Sequence, residues 1–286
     1  MRILLTGSAG FTGLFFKKAA ELAGHVVHDL QADLLAPDNI KQEVLSVQPE
    51  AVVHLAAISF VGHDSDADFY NVNVVGTVHL LNVLAQLPVM PQKVLLASSA
   101  NVYGNSPHSP LDEAQALAPV NHYAASKAAM ELMAANYSTK LPLVLVRPFN
   151  YTGPGQAAQF LIPKLVHHFK SRAPHIELGN LNVEREFNDV RMVSEAYLAL
   201  LQHQPHSKDL QVYNICTGKA FTLQQVIDTL TQLTGHTLKV NVNPAFVRAN
   251  EVRQLCGNPG KLQSAVGQLS TYTLQDTLQF MLESTL

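Results

Sequence analysis

The chain of 286 residues has no tryptophan, only two cysteines and no apolar run long enough to cross a bilayer. Cys216 and Cys256 stand far apart and outside C-x-x-C spacing. That excludes a disulfide framework and a redox dithiol motif, and it points to a reduced, cytoplasmic setting. Lys and Arg total 19 against 22 Asp and Glu, for a net charge of −3, and no basic cluster stands out. A dedicated nucleic-acid surface is therefore not expected. No secretory signal is read at the start, where Gly7, Gly10 and Gly13 interrupt the apolar residues almost at once. The chain shows no internal repeat. Its histidines, including His167-His168 and His203-x-x-His206, lack a convincing third ligand, so no metal site is expected.

What the chain does contain is an alternation of short apolar strands and helices. Arg2-Ile3-Leu4-Leu5-Thr6 reads as a buried strand, Gly7-x-x-Gly10-x-x-Gly13 follows directly, and Phe15 to Leu22 reads as a helix. Glycines at a strand-to-helix turn let the backbone approach a pyrophosphate, while the helix N-terminus supplies N–H donors. A dinucleotide is the expected ligand. Further strands are read at His25–Leu30, Ala51–Ala57, Lys93–Ser99, Leu143–Arg147 and Val212–Cys216, and helices at Phe69–Leu87, Phe160–Phe169, Val193–Leu201 and from near Thr273. Thr222-Leu223-Gln224-Gln225 has the form of a capping box, opening a helix that stops near Gly235. This pattern predicts an α/β protein with a Rossmann, doubly wound parallel sheet, whose ligands collect beyond the C-terminal strand ends.

The second strand ends where an acid would bind an adenosine ribose hydroxyl and a cation a 2′-phosphate. Gln31 stands there, and Asp29 lies within the strand, so NAD and NADP both remain open. In the Ala-rich run Tyr123-Ala124-Ala125-Ser126-Lys127, the Tyr and Lys fall on one helical face about a turn apart. An ammonium near a phenol favours the phenolate, which would let Tyr123 exchange a proton with an alcohol or ketone. Ser99, at a strand end, reads either as a cap or as a partner for that chemistry.

Together with Asp33-Leu34, Leu55-Ala56-Ala57, Asn73-x-x-Gly76-Thr77, Ser98-Ser99-x-x-Val102-Tyr103-Gly104 and Arg147-Pro148, these motifs resemble the extended short-chain dehydrogenase/reductases in type and order. The resemblance implies that Ser99 orients a substrate oxygen, Tyr123 is the general acid/base, and Lys127 binds the nicotinamide ribose. It places Gly7, Gly10, Phe11, Thr12, Gly13, Gln31, Asp33, Leu34, Leu55, Ala56, Ala57 and Asn73 at the cofactor, NADP or NAD. It also implies a Rossmann domain over 1–150 with a returning segment near 188–216, and a smaller interleaved substrate-binding domain from 151–187 and 217–286. Asn150, Arg185, Arg248 and Glu251 would contact a nucleotide-sugar. A homodimer packed through the helices at Phe69–Leu87 and Tyr123–Tyr137 is implied as well.

Within that family, Arg147-Pro148-Phe149-Asn150, Gly153-Pro154-Gly155-Gln156, Arg185-x-Phe187-x-Asp189-Val190-Arg191 and Val247-Arg248-x-x-Glu251-Val252 look most like the GDP-6-deoxy-D-mannose reductases. This implies reduction of a GDP-linked 4-keto-6-deoxyhexose. Asn101 and Met192 depart from that pattern, each replacing an acid. A nucleotide-sugar 4-epimerase with tightly held NAD is the competing enzymatic reading, and a non-catalytic dinucleotide sensor the competing reading of another class.

Overall fold

A computed structural model of the chain describes residues 1–181, 183–204, 210–246 and 252–285. In chain order it contains β1 Arg2–Thr6, α1 Phe11–Leu22, β2 Val26–Asp29, α2 Pro37–Val47, β3 Ala51–His54, α3 Asp66–Tyr70, α4 Thr77–Leu84, β4 Lys93–Ala97, α5 His122–Ala135, β5 Leu143–Pro148 and β6 Tyr151–Thr152. There follow α6 Leu161–Lys170, β7 His175–Leu178, β8 Glu184–Glu186, β9 Asn188–Asp189, α7 Val190–Gln202, β10 Gln211–Ile215, β11 Ala220–Thr222, α8 Leu223–Thr234, β12 Lys239–Val242, β13 Gln254–Leu255, α9 Gly260–Val266 and α10 Leu274–Glu283.

Six strands form one parallel sheet in the order β10-β5-β4-β3-β1-β2. The chain leaves β1 towards β2 and then returns across it to β3, so strand order reverses between β1 and β3. At such a switch point the loops diverge and leave a crevice. Strands buried on both faces read as continuous apolar runs, as Ile3-Leu4-Leu5 does. Alternate side chains feed different cores: Ile3 and Leu5 meet Phe16 of α1 and Tyr197 of α7, whereas Leu4 meets Ile40 and Val44 of α2 with Leu80 and Leu81 of α4. A third core joins α6, α8 and α10 through Leu165, Phe169, Val226, Leu230 and Leu278. Leu262 of α9 belongs to the first core, so the stretch around 260–266, assigned from sequence to the substrate part, packs on the Rossmann layer.

Two element boundaries differ from the sequence reading in ways that affect the site. α1 starts at Phe11 rather than Phe15, directly behind Gly10, which brings its first turn up to the glycines. The helix expected over Phe69–Leu87 begins at Asp66 and ends at Leu84, and a π-helical stretch, Asn71–Gly76, separates α3 from α4. Such widened turns concentrate at functional sites. Here the widened turn carries Asn73.

His54, 2% exposed at the end of β3, fastens the sheet to that helix. Its Nδ1 lies 2.7 Å from Thr6 Oγ1 and its Nε2 2.9 Å from Thr77 Oγ1. Thr77 spends its hydroxyl proton on Asn73 O, and Thr6 Oγ1 accepts the N–H of Ala56. The network therefore selects the tautomer with Nε2–H donating to Thr77 and Nδ1 accepting from Thr6. Burial lowers the His54 pKa from 6.5 to about 3, with the Lys127 charge adding to the effect. Below pH 6.5 the unfolded chain takes up a proton that the folded chain refuses, so stability falls as pH drops from 6.5 towards 3. The slope from this group is about 1.4 kcal/mol per pH unit. That slope is reached about one unit below 6.5, so urea unfolding at pH 5.5 and 4.5 should show the loss, and His54→Gln should reduce it by about the same amount. An unchanged slope in the variant would refute the assignment.

Candidate active site

The loops after β1, β3, β4 and β5 converge on a cavity of about 470 Å³. Gly7, Gly10, Phe11, Thr12, Gly13, Leu55, Ala57, Ser99, Tyr123, Lys127 and Asn150, all expected from sequence, line it. At Gly7, φ is +71° and an added Cβ would lie 2.7 Å from Ala56 N; at Gly13 it would lie 2.2 Å from Gly7 O. No acidic residue stands in the first turn of α1. A turn this tight, opening a helix whose first N–H groups have no intrahelical partner, suits a pyrophosphate. The residues present therefore fit a dinucleotide.

Ser99 follows β4 in extended conformation and caps the 3₁₀ turn Ala100–Tyr103. Its Oγ accepts the Asn101 backbone N–H at 3.2 Å and Asn101 Nδ2–H at 3.3 Å. Two acceptances use both lone pairs, which leaves the hydroxyl proton to be donated. Cap and chemistry, alternatives in the sequence, are thus the same side chain in two roles. Ser99 lies near enough to Tyr123 to draw its pKa down, and Tyr123 sits in the first turn of α5, whose N-cap Asn121 accepts the Ala124 N–H at 2.8 Å. The Ser99 and Tyr123 hydroxyl protons are thus both available to a ligand oxygen. Ser98, 3% exposed in the same wall, keeps an unpartnered hydroxyl. A buried hydroxyl of that kind is a ready ligand contact.

The expected phenolate is not what the pocket favours. Burial pushes the Tyr123 pKa up to about 12, against the opposing hydrogen bond from Ser99. Burial likewise lowers Lys127 to about 8, partly offset by Glu131. Lys127 Nζ donates to Ala97 O at 2.8 Å, so the ammonium is held to the end of β4. Desolvation outweighs the influence of Ser99, and Tyr123 stands as a neutral proton donor.

Several residues expected at ligands are not part of this cavity's lining. Asn73 is 1% exposed: its Oδ1 accepts Ile58 N–H at 2.9 Å, and its Nδ2 donates to Ile58 O and to Ser126 Oγ. With both ends used, it braces the loop after β3 against α5, outside the lining of this cavity. Gln31, Asp33, Leu34 and Ala56 are outside it as well. Asp33 Oδ1 accepts Leu35 N–H, and Leu34 is buried beneath Gly76. The Arg185 guanidinium donates to the carbonyls of Glu184, Arg253 and Val252, so its fork holds β8 to the following strand region and is not presented to the cavity. Arg248 and Glu251 lie outside the described residues.

The structure adds Asn101, Phe60, Phe160, Tyr151 and Tyr197 to the lining. Tyr151 bonds to Thr12 Oγ1 at 2.6 Å and stacks on Phe11, coupling the β5 loop to the glycine turn. Phe60 and Phe160 meet edge to face at 5.7 Å. Nothing in the local sequence marks these pairs, since their partners are brought together only by the fold.

Sheet order, glycine turn and the Ser99–Tyr123–Lys127 arrangement define a dinucleotide-dependent enzyme of the extended short-chain dehydrogenase/reductase class. Within that class the chain belongs to the family described as GDP-mannose 4,6 dehydratase, which matches residues 17–281. It is 34% identical to a GDP-6-deoxy-D-talose 4-dehydrogenase of Aggregatibacter actinomycetemcomitans, over 96% of this chain and 94% of the relative. It is 31% identical to a GDP-6-deoxy-D-mannose reductase of Pseudomonas aeruginosa, over 98% and 96% of the two chains. The solved structure of RMD from Pseudomonas aeruginosa complexed with NADPH superposes with a TM-score of 0.89 at 29% identity, covering 98% of this chain and 97% of that one.

Proposed function

We propose that the protein reduces the 4-keto group of a GDP-linked 4-keto-6-deoxyhexose, GDP-4-dehydro-6-deoxy-D-mannose to GDP-D-rhamnose, using NAD(P)H. The observation that carries this reading is the convergence of Ser99, Tyr123 and Lys127 on one cavity, in a chain that matches, over nearly their full length, two relatives named for GDP-6-deoxyhexoses. The bound cofactor would supply hydride to the sugar C4. Ser99 holds the carbonyl oxygen, Tyr123 delivers its proton to the alkoxide oxygen as charge develops there, and Lys127 stabilises the phenolate left behind. Asn150, at the cavity wall, is assigned to the nucleotide-sugar. A 4,6-dehydratase would need an acid and a base beside Ser99, where Ala100 and Asn101 stand.

The test is loss of reduced-nicotinamide absorbance with GDP-4-dehydro-6-deoxy-D-mannose, followed by the C4 configuration of the product. Stoichiometric loss giving GDP-D-rhamnose supports the reading; the C4 epimer, GDP-6-deoxy-D-talose, would keep the reaction and correct its stereochemistry. No loss in a protein that binds dinucleotide would overturn it and favour 4-epimerisation.

The same reading places the enzyme in the cytoplasm, as a homodimer. Both cysteines are free and buried, and no described helix is long and apolar enough to cross a membrane. Val75 beside α4, and Leu132 and Met133 on the neighbouring α5, are large apolar side chains between 40% and 69% exposed. Covering them against a second copy is favourable. Sedimentation equilibrium at micromolar concentration should give about twice 31.2 kDa; a single species at that chain mass would remove the dimer.

A further inference from the structure

The end of β2 holds a carboxylate that the dinucleotide motifs do not include. Glu43, from α2, accepts the backbone N–H of Gln31 on Oε1 at 2.8 Å and that of Ala32 on Oε2 at 2.9 Å. Two successive backbone N–H groups aimed at one anion are the kind of cradle in which a phosphate binds. Here an anion of the protein already fills it. This turn is also where a Rossmann fold separates its two dinucleotides, since the adenosine ribose reaches the end of the second strand.

Among the described residues, no cation is hydrogen-bonded to the Glu43 carboxylate. Lys17 is paired with Asp29 at 2.7 Å, and that charge is thereby neutralised at the strand's end. Gln31 is exposed and uncharged, its Nε2 reaching only Asp29 O at 3.4 Å. An amide so placed serves ribose hydroxyls as donor or acceptor, and it offers a phosphate no charge.

We propose that Glu43 is a specificity-determining residue that excludes a 2′-phosphate, so that the protein prefers NAD(H) to NADP(H). The proposal rests on the dinucleotide-dependent reading above and deepens it. A 2′-phosphate brings a charge of about −2 to a position whose donors are taken. Unscreened repulsion over a few ångströms near a surface disfavours it by on the order of 10- to 100-fold. NADH carries no group at that position and binds without displacing Glu43.

Calorimetric titration with NADH and NADPH tests this without turnover. Wild-type protein should bind NADH at least about tenfold more tightly, and raising the salt should narrow the gap by screening the repulsion. A phosphate held by cations would instead weaken with salt, so the sign of the salt effect is informative without any variant. Glu43→Gln should tighten NADPH about tenfold and leave NADH within about threefold. Preference of the wild type for NADPH would overturn the proposal. Loss of affinity for both dinucleotides alike in Glu43→Gln would also do so, by showing Glu43 to be only a fastener of the loop. Binding of neither dinucleotide to the wild type would overturn the oxidoreductase reading itself.

Discussion

Replacing Tyr123 with Phe should slow ketone reduction by about 10²–10⁴-fold, the range a positioned general acid contributes, while leaving the dinucleotide dissociation constant within about twofold. The substitution removes one oxygen from a side chain that is 8% exposed and packed 6.2 Å from the Phe69 ring, so the ring's packing survives. What disappears is the phenolic proton. Asn101 fills both lone pairs of Ser99, so the Ser99 hydroxyl donates to the ligand oxygen and the Tyr123 phenol supplies the proton. Because burial holds the phenol pKa at about 12, its proton is present throughout the neutral range and is given up only when an alkoxide of still higher basicity forms beside it. Steady-state kinetics in parallel with calorimetry separates the two effects. Turnover within threefold of wild type would refute the assignment of Tyr123, and a lost dinucleotide affinity would move its role from chemistry to binding.

The parts of this site that a reader of the sequence finds are those written in consecutive residues. Gly7, Gly10 and Gly13 sit in one turn, and Tyr123 and Lys127 on one helical face, so local spacing alone places them. The strand-to-helix alternation likewise predicts the parallel sheet, because apolar runs bounded by helices have few other ways to be buried. Pairings across the chain are a different matter. Thr12 and Tyr151 are 139 residues apart, and no composition signal links them. Asn73 illustrates the converse: its position in a family motif points to the cofactor, but its burial and three hydrogen bonds make it a brace. The resemblance assigns Arg185 to a nucleotide-sugar, whereas the fold directs its fork to backbone carbonyls. The phenol's protonation could not be read either, because desolvation is a property of the packed pocket and the Tyr–Lys spacing carries no information about it.

Glu131→Gln should be the most destabilising single substitution near the site, because Glu131 and Arg147 form an ion pair with almost no access to water. Arg147 Nε lies 3.0 Å from Glu131 Oε1 and Nη2 2.6 Å from Oε2, with side chains 7% and 4% exposed. Arg147 Nη1 donates to the Tyr103 hydroxyl at 2.9 Å, and that hydroxyl donates to Asn214 Oδ1 at 2.6 Å. The network thereby fastens α5, β5 and β10. Burial opposes the Arg147 charge, but the hydrogen bonds and charge of Glu131 more than restore it, so the guanidinium stays protonated. Removing the carboxylate charge strands a buried cation, at a cost of about 3–5 kcal/mol. Thermal unfolding should therefore shift down by roughly 6–20 °C, at about 2–4 °C per kcal/mol. The same substitution removes the one group that raises the Lys127 pKa, lying one turn along α5 from it. Folded Glu131→Gln should accordingly show a Lys127 that loses its proton at lower pH, which a purely structural pair would not move. Glu131→Met combined with Arg147→Leu supplies the control. It removes both charges, so it should cost much less than Glu131→Gln alone. Equal losses in the single and double variants would show that packing volume, rather than the uncompensated charge, is what the pair provides.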